Sequence, residues 1–334
     1  MSRRLRGIAL LATNLVIGLA VLGWVLHRWG GPALDVLRGR AAPGWLVLFV
    51  ATAALAFLAY TRRWQVLLAG VGSACGLGAL AGFRAAGQTV SALVPSAKLG
   101  GEPLRALLLV RHDVPGAHAI ASVAVDRVLE MGSASVFACL YAIFLLSRGV
   151  PALGGAMVTV ALGFVALVVG VTVMVRRLRR GAGLVTAMAR TTGLDRLGFV
   201  RGQLHVLGAA EEDAARLVGQ PGRIARAFAF GVAANLIVLL EYHLLLFGFG
   251  LPAGPLAVVA AIFATGAAHS LPVPAAVGAL EGAQMWLFGT LGHPPEVGLA
   301  VGLAVRLREV VWIVPGILYL LVRGVRPRTA AQPA

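Results

Sequence analysis

The sequence predicts an all-α, polytopic membrane protein with about six full transmembrane helices and two re-entrant broken-helix hairpins, arranged as an inverted repeat. Hydrophobic residues make up 59% of the 334 residues and charged residues only 13%, which is typical of polytopic membrane proteins. Long apolar runs recur along the chain, and two of them are interrupted by proline, glycine and glutamate. We treat residues 1–334 as a single transmembrane domain.

The basic balance of the chain fits a membrane protein better than a nucleic-acid-binding one. The formal net charge is +16, but the arginines cluster at the ends of apolar runs, as expected of cytoplasmic loops. They do not gather on one soluble face, so no nucleic-acid partner is predicted. The two cysteines lack metal-ligand spacing and the seven histidines are scattered singly. Neither a metal nor a cofactor is therefore predicted.

The first half of the domain, residues 8–175, is predicted to contain four spans and one broken element. The spans are placed at about 8–26, 44–60, 118–147 and 153–175. The second is closed by Arg62, Arg63 and Trp64, which suit the membrane interface. In the broken element, residues 77–110, neither apolar half reaches the ~20 residues that a span requires. A re-entrant hairpin is therefore favoured over two crossings.

The second half of the domain repeats this pattern. Residues 176–226 carry apolar residues at loosely helical spacing among arginines, which indicates helices lying on the cytoplasmic surface. Residues 227–322 then contain a span at about 227–248, a second broken element at 255–291 and a last span at about 296–322. Residues 323–334 are predicted to be a cytoplasmic tail.

The distribution of arginines predicts that both termini are cytoplasmic. Six crossings satisfy this only if each broken element returns to the side it left, the first from inside and the second from outside. The two halves would then be inverted relative to each other. Broken helices at corresponding positions of two halves are the best sequence indication of a transporter's central site.

The first break combines helix-breaking and ionisable residues in an apolar context. It contains Pro95, Lys98, Gly100, Gly101, Glu102 and Arg105. We expect Lys98 and Glu102 to face an aqueous cavity near the membrane midplane, with Arg105 one turn after Glu102 and able to pair with it. The helix beginning near Gly101 would offer free N–H groups to a phosphate. The alternative is an ordinary cytoplasmic loop between two short spans.

The second break has the same order of residue types but no nearby cation. It contains Pro272, Pro274, Gly278 and Glu281. Glu281 needs a partner from another span or a proton, which makes it the expected carrier of a coupling proton. Arg306 and Arg308 of the last span are the obvious partners, and Arg306 lies one turn before Glu309. Because charges are costly inside a span, these groups indicate either function or a structural charge network.

The third span also carries charges. Asp126, Glu130 and Ser133 share one helical face, and Arg127 lies three residues before Glu130. Snorkelling of these side chains to the cytoplasmic surface is the alternative to a functional role. Secondary candidates are Arg84 and Gln88, which form a polar stripe leading to the first break, and Glu241, Arg308 and Glu309. No catalytic motif occurs in the sequence, so no enzymatic activity is predicted.

Together these motifs resemble the flippase-like transmembrane domain family, the membrane portion of lysylphosphatidylglycerol synthases and related single-domain proteins. The resemblance rests on Arg63-Trp64, Pro95 with Gly100-Gly101-Glu102 and Arg105, Asp126-Arg127 with Glu130, and Pro272-x-Pro274 with Gly278 and Glu281-Gly282. It covers about residues 8–322. It implies a polytopic domain with re-entrant helices that moves a lipid headgroup across a bacterial inner membrane.

The expected substrate is a membrane lipid with a polar headgroup. An anionic or amino-acid-modified phospholipid, a hopanoid or a glycolipid is compatible with the resemblance. The sequence ends at Ala334, a dozen residues after the last span, so the aminoacyl-transfer domain of the synthases is not expected. The alternative is a membrane-embedded enzyme or accessory protein of a lipid biosynthesis pathway.

The candidate residues are expected to form two groups. Glu102, Arg105, Glu281 and Arg306 are assigned to a central polar site. Asp126, Arg127 and Glu130 are assigned to an entrance on the cytoplasmic side. The headgroup would enter this polar groove while the acyl chains stay in the lipid.

Overall fold

A computed structural model describes residues 23, 27–28, 30–37, 43–93, 100–149, 154–179, 198–271, 273 and 276–323. This part of the chain is helical and contains no β-strand. The helices are α1 (Pro43–Gly70), α2 (Leu77–Leu93), α3 (Glu102–Val110), α4 (Gly116–Ser147), α5 (Gly154–Arg179), α6 (Gly198–Val218), α7 (Pro221–Gly248), α8 (Pro255–His269), α9 (Ala279–Thr290) and α10 (Pro295–Arg323).

Three of the described helices are long and apolar enough to cross a membrane. They are Gly44–Gly70, Gly116–Ser147 and Pro221–Gly248. The predicted spans at 153–175 and 296–322 fall within the helices α5 and α10, whereas the span predicted at 8–26 lies almost wholly outside the described residues. The chain is therefore an all-α membrane protein.

The helix α1 continues ten residues beyond the end of the span predicted at 44–60. The helix continues to Gly70, and the side chains of Arg63 and Trp64, which were predicted to suit the membrane interface, are completely buried against other helices. Arg62 beside them is exposed. The arginine is tolerated inside the protein because carboxylates of α4 neutralise it, as described below.

Both predicted breaks separate two short helices. The first pair, α2 and α3, has 17 and 9 residues, and the second pair, α8 and α9, has 15 and 12 residues. Each of these four helices is shorter than the ~20 residues needed to cross a membrane. The two breaks are the points at which polar backbone and side chains meet inside an otherwise apolar bundle.

Close backbone contacts and side-chain hydrogen bonds fix the geometry of the two breaks. A Cβ atom on Gly101 would lie 2.0 Å from the carbonyl oxygen of Gly87, so α3 approaches α2 as only glycine permits. The backbone N–H of Gly101 donates to the Ser91 hydroxyl at 2.8 Å. In the second pair, the buried Gln284 of α9 donates to the Ala261 carbonyl of α8 at 2.9 Å.

The helix contacts form a reciprocal pattern between the two halves. The long helices α1 and α7 pack along each other. In each half, the short helix after the break packs on the long helix that follows it, α3 on α4 and α9 on α10. The two halves also pack against each other, since α10 contacts α2 and α4 contacts α8. Each broken pair is therefore enclosed by long helices of both halves.

The apolar core follows this arrangement. One cluster of buried residues joins α7, α8, α9 and α10, and another joins α1, α2, α3 and α4 with α6. Many large apolar side chains on α5 and on the outer faces of α1 and α4 are exposed instead, as expected of surfaces that face lipid. The charged residues that remain inside the bundle lie between these two clusters.

Candidate functional site

Three arginines from three different helices converge on one buried carboxylate. Asp126 of α4 is completely buried and accepts hydrogen bonds from Arg63 Nε of α1 at 2.7 Å, Arg84 NH1 of α2 at 3.2 Å and Arg105 NH2 of α3 at 2.6 Å. All three arginines are at least nine-tenths buried. The carboxylate therefore holds α1, α2 and α3 together through charge-assisted hydrogen bonds.

One turn further along α4, Glu130 extends this network. Its Oε2 accepts hydrogen bonds from Arg63 and Arg84, each at 2.6 Å, and its Oε1 accepts one from Arg127 at 3.0 Å. Arg127 also lies 3.4 Å from Glu102, the first residue of α3. We call these seven residues the arginine cluster. It consists of Arg63, Arg84, Arg105 and Arg127 with Glu102, Asp126 and Glu130.

Aromatic rings cover the faces of the buried guanidinium groups. The Arg105 guanidinium lies 4.0 Å from the centroid of the Trp64 ring. The guanidinium groups of Arg63 and Arg84 both lie 5.1 Å from the centroid of the Tyr60 ring. Such cation–π contacts stabilise cations that have lost part of their hydration.

One expectation about these residues was wrong, and the alternative of snorkelling does not hold for Asp126. Arg105 does not pair with Glu102 one turn before it, because its side chain points to α4 and its partner is Asp126. Asp126 does not snorkel to the surface, since it is fully buried and its charge is balanced locally. The predicted entrance residues and two of the predicted central residues therefore form a single cluster.

A second charged cluster joins the broken pair α8–α9 to α10. Glu281, in the first turn of α9, accepts hydrogen bonds from Arg306 Nε at 2.7 Å and from Arg306 NH2 at 3.2 Å. Its Oε2 also accepts the backbone N–H of Gly278 at 3.0 Å, which caps the helix. The N-terminus of a helix favours such a negative charge. Of the two alternatives for Glu281, a partner from another span or a proton, the partner is present, and it is Arg306 as predicted.

Arg306 is the centre of this second cluster. Besides Glu281 it donates to Glu309 Oε2 at 2.7 Å and to the Ala276 carbonyl at 3.0 Å. Glu309 in turn lies 2.6 Å from Nε2 of His269, the last residue of α8. The predicted pairing of Arg306 with Glu309 is thus present.

Arg308, on the other side of α10, contacts α7. Its guanidinium donates to the buried Glu241 at 3.0 Å and stacks on the rings of Tyr242 and Trp312. We call the six charged or titratable residues of this region the glutamate cluster. It consists of Glu241, His269, Glu281, Arg306, Arg308 and Glu309.

One cavity of about 350 Å³ lies between the two clusters. Its walls include Arg84, Glu102, Arg105, Arg127 and Glu130 from the arginine cluster and His269, Arg308 and Glu309 from the glutamate cluster. Gln88, Gly101 and Ala276 also line it, so both breaks border the same space. Glu281 and Arg306 do not line this cavity. They support its wall instead, against the expectation that they lie in the central site.

The cavity wall on the arginine side holds polar atoms that have no hydrogen-bond partner among the described residues. They are Arg84 Nε, Arg105 Nε, Arg127 Nε, Gln88 Oε1 and Glu102 Oε2. A buried polar group without a partner is costly. These atoms mark the arginine side as a place where a polar ligand or water would be stabilised.

Other predicted residues have different placements. Gly100 is half-buried ahead of α3, and Gly278 takes a positive φ of 76° before α9. Ala276 also takes a positive φ of 48°, which an alanine adopts only when its surroundings hold it there. Pro95, Lys98, Pro272 and Pro274 lie outside the described residues.

Sequence reasoning missed several residues of the site. Arg63 was placed at the interface, and Tyr60, His269 and Trp312 were not considered. An available signal was the position of Arg63 only three residues after the apolar run ends at Tyr60. His269 could have been selected because it immediately precedes the second break.

The comparisons with known proteins agree with the motif set. A family model described as the lysylphosphatidylglycerol synthase TM region matches residues 11–316. No curated protein and no solved structure matches the chain. The family expected from the motifs is therefore confirmed over nearly the whole sequence. The chain belongs to the family of the lysylphosphatidylglycerol synthase TM region, a family of membrane proteins in lipid-related processes.

Proposed function

We propose that this protein is a transporter that moves a lipid with a polar headgroup between the leaflets of a bacterial inner membrane. The observation that carries the proposal is the cavity bordered by both breaks and by charged residues of both halves. Ionisable residues at membrane depth are expensive and mark substrate pathways. A lipid headgroup needs such a polar path, whereas its acyl chains do not.

The proposed topology has six full spans and two re-entrant hairpins, α2–α3 and α8–α9. Both termini are cytoplasmic, and the hairpins enter from opposite faces. The shortness of the four hairpin helices and the reciprocal packing between the halves support this inverted arrangement. Inverted repeats with broken helices around a midplane site are a common plan of secondary transporters.

The arginine side of the cavity suits the acidic group of a headgroup. In the arginine cluster, four arginines face three carboxylates, so the described residues leave one positive charge for an anion. Arg84 and Arg105 also keep an N–H without an acceptor among those residues. A phosphate would satisfy both requirements, because guanidinium groups bind phosphate with paired, charge-assisted hydrogen bonds. An anionic phospholipid is accordingly the first substrate to test.

Movement of the headgroup requires that the cavity open alternately to each side. The contacts that the halves exchange, α10 with α2 and α4 with α8, are the interfaces that would slide in such a motion. Each half carries its own buried ion-pair network, so each can move as a rigid unit. We propose that the protein performs this step without chemical change to the lipid.

The test is lipid movement by the purified protein. The protein is reconstituted into vesicles of phosphatidylglycerol and phosphatidylethanolamine that contain a fluorescent phosphatidylglycerol, and dithionite then quenches the label in the outer leaflet only. Arg127→Gln removes a cation whose side chain is 19% exposed and lines the cavity. We expect transport to slow about tenfold or more, because a hydrogen bond to a charged group contributes about 1.5–3 kcal/mol.

The matched control is Arg216→Gln. Arg216 also pairs with a carboxylate three residues away on its helix, but it lies on α6, is 66% exposed and does not line the cavity. We expect this variant to behave like the wild type. Equal rates for Arg127→Gln, Glu102→Gln and Arg216→Gln would refute transport through this cavity, and formation of a modified lipid by the purified protein would favour the enzymatic alternative.

A further inference from the structure

The contact between His269 and Glu309 differs from the other carboxylate contacts in the two clusters. Among the described residues, the remaining five carboxylates of the clusters are held by arginines. Glu309 divides its two oxygens between Arg306 and the imidazole of His269. Its Oε1 lies 2.6 Å from His269 Nε2. Because a histidine, unlike an arginine, can be neutral or charged, the protonation state of this contact has to be worked out from its hydrogen bonds.

The hydrogen-bond geometry places an additional proton in this contact. Nδ1 of His269 lies 2.8 Å from the backbone carbonyl oxygen of Thr265. A carbonyl oxygen only accepts, so Nδ1 carries a hydrogen. In a neutral imidazole Nε2 would then have a lone pair, which would face the lone pairs of an ionised Glu309 at 2.6 Å. An attractive contact requires either a charged imidazolium or a protonated Glu309, hence one more bound proton.

Both partners are accessible from the cavity. They line the cavity, and their side chains are 12% and 18% exposed. The charged and titratable groups around them are Glu241 and Tyr242 of α7, Glu281 of α9, and Arg306 and Arg308 of α10. The arginine cluster forms the opposite wall of the cavity. His269 is the one histidine among the described residues that line this space.

We propose that His269 and Glu309 form a proton-binding site that couples the movement of the second break to a proton gradient; this inference rests on the proposed transport function. His269 is the last residue of α8, directly before the break, and Glu309 lies on α10. Arg306 connects the same carboxylate to Glu281 and to the Ala276 carbonyl inside the break. The bound proton thus fastens the end of α8 to α10.

Loss of the proton would change the interaction between His269 and Glu309 from attractive to repulsive. Nε2 and Oε1 would repel each other at their present distance, and the end of α8 would be released from α10. Glu309 would keep its bond to Arg306, so the wall formed by α9 and α10 would remain intact. Proton binding in one access state and release in the other would then give the lipid movement a direction.

The transport test compares His269→Gln and Glu309→Gln with His243→Gln. His243 is an exposed histidine on α7 that also contacts a backbone carbonyl, and it does not line the cavity. Vesicles of the composition given above are prepared with and without a pH gradient. We expect a gradient to accelerate lipid movement in the wild type and in His243→Gln, and we expect this dependence to be lost in the other two variants.

The outcomes separate the two proposals. Wild-type protein that moves no lipid under any condition would overturn the proposed function. Lipid movement whose rate ignores the gradient in the wild type, or follows it in His269→Gln, would overturn the coupling site and leave the transport function standing. Size-exclusion profiles and helical circular dichroism of the variants show whether each is folded.

A spectroscopic test addresses the proton itself and does not require transport. Protein labelled with ¹⁵N-histidine is studied by solid-state NMR at about pH 7.5, above the ordinary pKa of histidine, and the His269→Gln spectrum assigns the resonance. We expect either both ring nitrogens of His269 to be protonated, or an infrared carboxylic-acid band that disappears in Glu309→Gln. Absence of both signals would overturn the inference.

Discussion

Neutralising Asp126 tests whether the arginine cluster holds the first half of the protein together. Its carboxylate contacts three guanidinium groups at 2.6–3.2 Å and is completely buried. Asp126→Asn keeps the shape of the side chain but leaves Arg63, Arg84 and Arg105 with one carboxylate fewer. Removing one partner of a buried ion pair costs about 3–5 kcal/mol.

Coulomb's law gives an upper limit of about 12 kcal/mol for the three attractions together. Two unit charges about 4 Å apart interact by about 4 kcal/mol at an effective dielectric constant of about 20. The loss of three such attractions is partly offset because the Asp126→Asn variant no longer buries a carboxylate. For a domain of this size, a cost of about 4 kcal/mol corresponds to a fall in melting temperature on the order of 10 °C.

The assay is thermal unfolding of the detergent-solubilised protein, followed by tryptophan fluorescence and by aggregation. Asp213→Asn is the matched control, because Asp213 is also buried but its arginine partner, Arg216, is 66% exposed. That arginine stays hydrated without its partner, and the second partner of Asp213, His118, lies 3.6 Å away and is 23% exposed, so the cost is about 1 kcal/mol or less. A second variant, Asp126→Asn with Arg105→Gln, removes one unbalanced cation and should recover part of the loss.

The reasoning would be refuted by equal melting temperatures for Asp126→Asn and Asp213→Asn. In that case the three arginines would not depend on Asp126, and the convergence of α1, α2 and α3 on α4 would have another cause. No recovery in the double variant would mean that charge balance does not explain the loss.

Three further predictions concern the breaks, the second half and the topology. Gly101→Ala should lower stability by about 1–3 kcal/mol because its Cβ would overlap backbone atoms. Gly132→Ala is the control and should not lower stability, because there is open space at that position. The melting temperatures of the two variants are compared by thermal unfolding. Glu241→Gln should cost about 3 kcal/mol by leaving Arg308 unbalanced, and replacing both residues by glutamine should restore most of the melting temperature. Burial raises the pKa of the Cys75 thiol, so less thiolate is present at neutral pH, and labelling by an impermeant maleimide should accelerate as pH rises from about 7 to 9. The experiment uses a variant in which the other cysteine is changed to serine. Labelling of Cys75 from outside intact cells would contradict the cytoplasmic placement of the loop between α1 and α2.

The sequence identified the two breaks because their signal is local. Proline, glycine and charged residues interrupt apolar runs at Pro95–Glu102 and Pro272–Glu281, and such interruptions are rare where backbone groups lack water. The same reasoning selected Asp126, Glu130 and Glu102 as unusual residues. It did not select Arg63 for the site, because an arginine at the end of an apolar run normally sits at the interface.

Several of the charge pairs were decided by the tertiary structure. Sequence spacing suggested that Glu102 and Arg105 pair within one helix, but Arg105 turns toward Asp126 on α4. For Glu281 the sequence named Arg306 and Arg308 as candidate partners, and the packing of α10 against α9 selects Arg306. Partners separated by 21 and 25 residues along the chain become neighbours through helix packing, which no local pattern specifies.

The amino-acid sequence by itself determined that this chain is an all-α membrane protein with two interrupted elements, because burial of apolar runs and the cost of broken backbone depend on residues that are adjacent in the chain. Tertiary structure decided that both interruptions border one cavity, and it decided which basic side chains bind each buried carboxylate. The physical reason is that charge neutralisation inside a bundle acts through space, over distances of about 3 Å, and only the packing of the helices brings those groups that close.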